Sequence, residues 1–314
     1  MTSLPVSPAW ELSCAPQALR WLIKDLWSLH AVGIVGGEPK CCKSFLALEM
    51  AVAVASGAPC LRRFPVPHPG RVLLYCAEDS LPIVRSRLEG ICYASALSLK
   101  AVDLHVITAP SLRLDLAGDQ QRLGETLESL RPTLLLLDPF VRLHRIDENS
   151  SGEVAPILAY LRELQRRFQL SLVLVHHAKK GAAHLRAGQA LRGSSEFHAW
   201  GDSNLYLRRS DQTLTLTSEH RAAASLSPLT LTLRADGPHL ALELLDASPP
   251  PTASVALSPA DKIQQALAQA AHPLPLPLLR QACRIRTADL CSTLALLQRS
   301  GRIQKTPAGY QLTP

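Results

Sequence analysis

A lysine and a serine stand side by side at the end of the segment Gly36-Gly37-Glu38-Pro39-Lys40-Cys41-Cys42-Lys43-Ser44. A glycine turn followed by a basic side chain and a hydroxyl is what phosphate chemistry needs. The backbone N–H groups of such a turn, and of the helix that follows it, aim at phosphate oxygens. Lys43 then reaches the β- and γ-phosphates, and the Ser44 hydroxyl ligates Mg²⁺. Gly37, Lys43 and Ser44 fall in the register of the phosphate-loop pattern G-x-x-x-x-G-K-[ST], while Cys42 occupies its second glycine. A side chain at that position narrows the backbone choices, which predicts weaker binding or lower turnover. The competing reading is an ordinary Gly-Gly turn before a helix. On the first reading the nucleotide-binding stretch is Gly37, Glu38, Pro39, Lys40, Cys41, Cys42, Lys43, Ser44 and Phe45, and the ligands are ATP and Mg²⁺.

Two later carboxylates fit the same chemistry. Leu134-Leu135-Leu136-Leu137-Asp138 is an apolar run ending in an acid. That is the Walker B pattern, in which Asp138 orients the shell of Mg²⁺; an Asp at a strand end can also be a turn or helix cap. Glu78-Asp79 follows another short apolar run, at the strand tip where open α/β sheets bind ligands. Glu78 is the candidate that polarises the attacking water, and Asp79 with Ser80 reads as the cap of the next helix.

The elements that must hold these groups alternate. Strands are expected at 31–35, 71–76, 104–108, 134–137 and 170–175, and helices at 43–55, 81–90, 120–130 and 153–168. Four-residue apolar runs flanked by turn formers are fully buried parallel strands, so the core is α/β with a mainly parallel sheet. Residues 1–30 read as a helical lead-in, with Trp10, Leu19, Trp21, Leu22, Leu26 and Trp27 packed on the core. After 200 the rhythm changes to period two at 204–209, 213–217, 229–234 and 240–245, which predicts late antiparallel hairpins. The Pro- and Ser-rich stretch 248–259 is a linker. It separates a domain at 31–247 from a small module at 260–314.

Composition narrows the class. Of 314 residues 47% are hydrophobic, and no apolar run approaches the roughly 18 residues of a membrane span. Met1–Trp10 lacks the basic-then-apolar order of a signal peptide, so a cytoplasmic chain with no membrane partner is expected. The eight cysteines form no C-x-x-C pair, which argues against zinc and disulfides and for reduced thiols.

Together these residues resemble the RecA-like ATPases of the RepA type, a hexameric helicase group. The likeness rests on the phosphate loop, Ala77-Glu78-Asp79, Leu-Leu-Leu-Leu-Asp138-Pro139, Val175-His176-His177-Ala178-Lys179-Lys180 and Arg192-Gly193-Ser194-Ser195, over about 30–225. It implies a homo-oligomeric ring with ATP at subunit interfaces, and DNA as a partner. It also implies that His176 or His177 senses the γ-phosphate, with His177 the choice; a histidine pair capping a strand is the alternative. Arg192–Ser195 takes the place of a loop facing the channel or the neighbour, or else caps a helix at Ser194 or Ser195. Group members carry a Lys-x-Arg pair on a late strand that reaches the next subunit's ATP. Here Glu219-His220-Arg221 stands there, making Arg221 the finger candidate and Arg208 its competitor, either of which can equally be a solvated surface arginine. Asp147-Glu148-Asn149-Ser150 matches an acidic loop of the group or caps the next helix.

The C-terminal module reads as helices at 261–270, 276–283 and 287–300 followed by two short strands. It resembles a winged helix. Seven Lys and Arg against two acids give it most of the net charge of +7. Arg284, Arg286, Arg299, Arg302 and Lys305 are therefore candidate phosphate contacts on DNA. The expected function is a DNA-associated ATP hydrolase, with helicase action one form of it. The alternative is an ATP-responsive DNA-binding regulator with little turnover.

Overall fold

A computed structural model describes residues 6–11, 20–177, 196–211, 213–245, 259–270, 272–283 and 287–313. The chain divides into two compact units, Met1–Ala247 and Ser248–Pro314.

The larger unit is built on one nine-stranded sheet. Its strands are β3 (Val32–Gly37), β4 (Val72–Cys76), β5 (Leu104–Val106), β6 (Leu134–Asp138), β7 (Ser171–His177), β8 (Ser203–Ser210), β9 (Thr213–His220), β10 (Leu229–Asp236) and β11 (His239–Leu244). They lie in the order β11-β10-β9-β8-β3-β7-β6-β4-β5. From β8 to β5 every pairing is parallel, and β9, β10 and β11 extend the sheet antiparallel. The period-two segments are thus a continuation of the same sheet, and β8 is its turning point, parallel to β3 and antiparallel to β9. Gly33 makes the β3–β8 contact possible, since a Cβ there would lie 1.7 Å from the Ser203 carbonyl oxygen.

The pleat sorts side chains onto two faces. Val35, Val72, Leu74, Leu134, Leu136, Val173 and Val175 pack towards α1 (Lys43–Ser56) and α2 (Leu81–Ala94). Ile34, Leu73, Leu135, Leu137, Leu172 and Leu174 pack with α3 (Ala117–Leu130), α4 (Ser151–Phe168) and α5 (Glu196–Trp200). α1 is buried on nearly every side, as a helix with no polar stripe must be. Gly57 closes it in the left-handed conformation, its N–H donating to the Ala53 carbonyl. Glu49 is the one acid sealed into α1; it pairs with Arg62 at 3.2 Å, and burial pushes its carboxyl up to about 7.

The lead-in departs from expectation. Instead of a helix, Trp21–Ile23 (β1) and Trp27–Ser28 (β2) form a small antiparallel hairpin turning at Asp25, whose φ is 63°. Leu22, Leu26 and Trp27 are buried as expected and Trp21 is half-buried, but Trp10, in a single 3₁₀ turn (Ala9–Glu11), is exposed; Leu19 lies outside the described residues. Clustered apolar residues over so short a stretch fit a hairpin as well as a helix, and only tertiary contacts decide. His220 ties the hairpin down, with Nδ1 3.1 Å from Ser203 Oγ and Nε2 3.2 Å from the Asp25 carbonyl.

The smaller unit has α6 (Pro259–Gln269), α7 (Leu276–Cys283), α8 (Thr287–Arg299) and the hairpin β12 (Ile303–Thr306) to β13 (Gly309–Leu312). Ile263, Leu267, Leu279, Leu290, Leu294, Leu297 and Ile303 form its core. Leu274 and Tyr310 exchange backbone hydrogen bonds at 2.9 Å, which pins the hairpin to the segment before α7. Arg280, Arg299, Arg302 and Lys305 are exposed; Arg284 and Arg286 lie outside the described residues.

Candidate nucleotide site

All six parallel strands end at one edge of the sheet. Strand register therefore gathers Gly37, Cys76, Asp138, His177 and the end of β8 there: Gly37 pairs with His177 and Leu207, and Cys76 with Asp138. Pleat parity then fixes directions. Asp138 shares the parity of Leu134 and Leu136, so its side chain falls on the face occupied by α1.

The Asp138 carboxylate accepts a hydrogen bond from Ser44, in the first turn of α1. Lys43 and Asp138 are both buried, each 5% exposed. Lys43 Nζ donates to the Glu38 carbonyl at 2.8 Å, and Cys41 Sγ lies 3.9 Å from it. Burial lowers the Lys43 amine pKa, against the pull of Cys41, Asp138 and Glu78. Burial likewise pushes the Asp138 carboxyl up to about 6, despite the Ser44 bond and Lys43. Both groups are thus driven towards their neutral forms, because their mutual attraction does not offset desolvation. Cys41 and Cys76 are pushed up as well, chiefly by burial, and remain thiols.

The loop is strained where the sequence lacks glycine. Gly37 has φ 154°, and a Cβ there would meet the Leu207 carbonyl oxygen at 2.3 Å and Cys41 Sγ at 2.7 Å. Lys40 (φ 66°) and Cys42 (φ 63°, ψ 28°) adopt the left-handed conformation with side chains attached, at a cost of about 1–2 kcal/mol each. Cys42 is the residue before α1 and makes no side-chain cap, leaving the first-turn N–H groups for another acceptor. Phe45 is buried with the Arg87 guanidinium 5.1 Å over its ring, so its backbone alone faces the loop.

The other expected residues fall variously. Glu78 is exposed and paired with Arg142 at 3.0 Å. Asp79 does not cap α2; it forms a two-pronged ion pair with Arg87, and Ser80 stands at the cap position without a side-chain bond. Two donors on a fixed guanidinium outcompete one backbone N–H for the carboxylate. His176 turns to the far face, stacked on Phe197 at 4.2 Å and edge-on to Phe140; His177, of opposite parity, falls on the α1 face, beside Gly37. Asp147 accepts from the Asn149 N–H, and Glu153 accepts from the Asp147 N–H, so that acidic loop closes on the start of α4. Arg192–Ser195 lies outside the described residues.

Arg221 is not at this edge. β9 runs antiparallel to β8 and carries it to the opposite end of the sheet, roughly 20 Å from the phosphate loop by strand rise. There it donates to the Ala199 carbonyl at 2.6 Å and pairs with Asp202 at 3.3 Å. Sequence reasoning missed a different arginine: Arg209, at the end of β8, donates from Nε to the Lys40 carbonyl at 2.9 Å and approaches Cys42 Sγ at 3.2 Å. Arg142 and Arg87, which hold Glu78 and Asp79, were missed too. None of the three has a local signal, because each contact depends on how the chain folds back on itself.

A hard-oxygen pair, Asp138 with the Ser44 hydroxyl, suits Mg²⁺, which takes one or two protein oxygens and fills the rest of its shell with phosphate and water. Among the described residues no group of three His, Cys, Asp or Glu side chains could hold a metal unaided, and no helix is long and apolar enough to cross a membrane.

Comparison with known proteins agrees with this geometry. Residues 2–183, more than half of the chain, match the family model described as AAA domain. Among solved structures the chain is similar to one described as an ATPase domain, at TM-score 0.51 and 12% identity over 68% of this chain and 84% of that one. It is also similar to a DnaB-like replicative helicase solved for its interactions with primase, at TM-score 0.51 and 11% identity over 68% of this chain and 57% of that one. This chain therefore spans little more than half of the helicase chain. At such identities the likeness establishes the fold alone, a RecA-like α/β core.

Proposed function

Because this chain belongs to the AAA domain family, we propose that it is a DNA-associated ATPase, binding ATP with Mg²⁺ at the edge formed by Lys43, Ser44 and Asp138. The observation that carries the reading is the buried Asp138 carboxylate bonded to Ser44 beside the buried Lys43. Two buried ionisable groups with raised and lowered pKa values at a strand-end crevice suit a site that a charged ligand completes. Mg²⁺, when bound, neutralises charge on the phosphates. The chain's own part is positional. The loop amides and the start of α1 cradle phosphate oxygens, Lys43 leaves the Glu38 carbonyl for the terminal phosphates, and Glu78 orients water from its place beside Arg142.

The printed subject of one structural neighbour is a replicative helicase, and the order of motifs in this sequence points the same way. On this proposal subunits form a cytoplasmic ring, a hexamer in the resembling group, and Arg221, too distant from its own loop, serves the next subunit's ATP. The smaller unit acts as a winged helix, placing Arg299, Arg302 and Lys305 on DNA phosphates. The test is phosphate release by wild type and Lys43→Ala, with and without single- and double-stranded DNA. Turnover that is absent from wild type, or persists in the variant, removes the proposal; strand displacement on a forked duplex decides whether the ATPase is a helicase.

A second reading has Cys42 in its favour, since a side chain occupies the left-handed position at the loop's end. On that reading the chain binds ATP with little turnover and acts as an ATP-responsive DNA-binding switch. Tight ATP binding without phosphate release, with turnover rising in Cys42→Gly, selects it.

A further inference from the structure

We infer that Arg209 is a positioning residue of the phosphate loop, holding Lys40 and Cys42 in the left-handed conformations that the loop needs. The inference rests on the nucleotide-site reading above and adds a residue to it. The loop departs from ordinary backbone at three places: Gly37, Lys40 and Cys42. Gly37 needs no help. The other two carry side chains, and the Arg209 guanidinium touches both, through Nε to the Lys40 carbonyl at 2.9 Å and Nη2 to Cys42 Sγ at 3.2 Å.

The scaffold brings the arginine there. β8 lies against β3 in parallel register, with Leu207 opposite Gly37. Arg209 is two residues further along and so shares the pleat face of Leu207, the face of α1. The neighbouring Arg208 has the opposite parity. The guanidinium is a planar fork with donors in fixed relation, so one side chain can bridge two loop residues; an ammonium on a flexible stem cannot reproduce both contacts. A cation over the loop's entrance also adds to the field that draws a polyphosphate. The missing glycine and the distant arginine thus form one device, with conformational freedom replaced by an external brace.

The brace predicts a specific dependence. In the full-length chain, Arg209→Ala should weaken Mg²⁺-ATP binding by roughly tenfold, the scale of one lost left-handed restraint. Arg209→Lys should lie between. Combined with Lys40→Gly and Cys42→Gly together the effect should shrink to about twofold or less, because glycine adopts both conformations unaided. Titration with a fluorescent ATP analogue reads these affinities, and thermal unfolding checks that each variant folds. Amide hydrogen exchange across 38–44 reads the brace without nucleotide: exchange should quicken in Arg209→Ala, remain unchanged in β6 and β7, and be insensitive to Arg209 once Lys40 and Cys42 are both replaced by glycine. An equal loss of affinity in the wild-type and the Lys40→Gly/Cys42→Gly backgrounds would mean that Arg209 acts on the ligand itself, and overturns the inference. Unchanged exchange in 38–44 overturns it whether or not nucleotide binds. A wild type that binds no nucleotide but shows the exchange pattern leaves the brace standing and removes only the ATPase reading.

Discussion

The two ends of the central sheet carry similar residues to different effect. At the carboxyl end of the parallel strands Lys43, Ser44 and Asp138 converge, and burial drives the lysine and the acid away from their charged forms. At the other end Asp202 accepts from Arg162 and from the Val32 N–H and pairs with Arg221, while Arg162 also donates to the Trp200 carbonyl. His220 there has a protein partner for each ring nitrogen. One end is a set of buried charges that neighbouring groups compensate incompletely; the other is a network closed on itself. A catalogue of residue types cannot separate them. Compensation does, because an incompletely compensated charge is where a ligand adds most.

The comparison breaks first at Lys43. Lys43→Ala should lower ATP turnover at least ~100-fold, the scale for losing one preorganised charge stabiliser, with little change in thermal midpoint because the lysine's burial is itself unfavourable. A variant retaining more than about a tenth of wild-type kcat would take from the phosphate end the role that incomplete compensation assigns it.

Asp138 sharpens the contrast through pH. Its folded pKa, about 6, lies above the ordinary value of 3.8. Between those values the unfolded chain has released the proton and the folded chain has kept it, so stability falls as pH rises through that window, by roughly 3 kcal/mol in all. Asp138→Asn should therefore make the decline in denaturant midpoint between about pH 4 and 6 shallower, leaving the part that Glu49 contributes up to about 7, while abolishing Mg²⁺-dependent turnover. A decline as steep in the variant as in wild type would assign the proton elsewhere; Glu49→Gln removes the remainder. Since Mg²⁺ and the proton compete for the carboxylate, Mg²⁺ affinity should also fall as pH drops below about 6.

At the closed end the effect should be on stability. Asp202→Ala strands two arginines and the Val32 N–H, and should cost about 2 kcal/mol, below the range for fully buried pairs because these side chains are partly exposed. Urea unfolding measures it. If the loss appears in nucleotide affinity of isolated subunits instead, the network is coupled to the phosphate site and the distinction between the ends fails.

How far the sequence foretells this follows from the range of each signal. The phosphate loop, the run Leu134–Asp138 and the α/β alternation are legible because spacing along the chain and apolar periodicity are local. Strand boundaries agree within a few residues in β3, β6 and β7. The lead-in departs because Trp21–Trp27 turns on a left-handed Asp25 that no spacing reveals. The resemblance alone names His177, and only pleat parity separates the two histidines, putting His177 on the α1 face beside Gly37 and His176 among aromatic rings. Arg209 is invisible in the sequence, because its contacts with Lys40 and Cys42 exist only once β8 is known to lie beside β3. The site's chemistry is written locally and its bracing is written in topology.

Arg142 offers the smallest and most discriminating case. Its Nε holds the Glu78 carboxylate at 3.0 Å, but the side chains are 62% and 42% exposed. A pair so open to water contributes no more than about 0.5 kcal/mol to stability, so Arg142→Ala should leave the urea midpoint nearly unchanged. Its consequence should lie in orientation: Glu78 is freed to sample rotamers that do not face the phosphate edge, which should lower kcat several-fold while leaving KM for ATP near wild type. Glu78→Gln should lower kcat further, and adding Arg142→Ala to it should do nothing more, since the carboxylate that needed holding is gone. Additive losses in the double variant would mean that the arginine serves the reaction independently of Glu78, and would remove the acid from the role of orienting water.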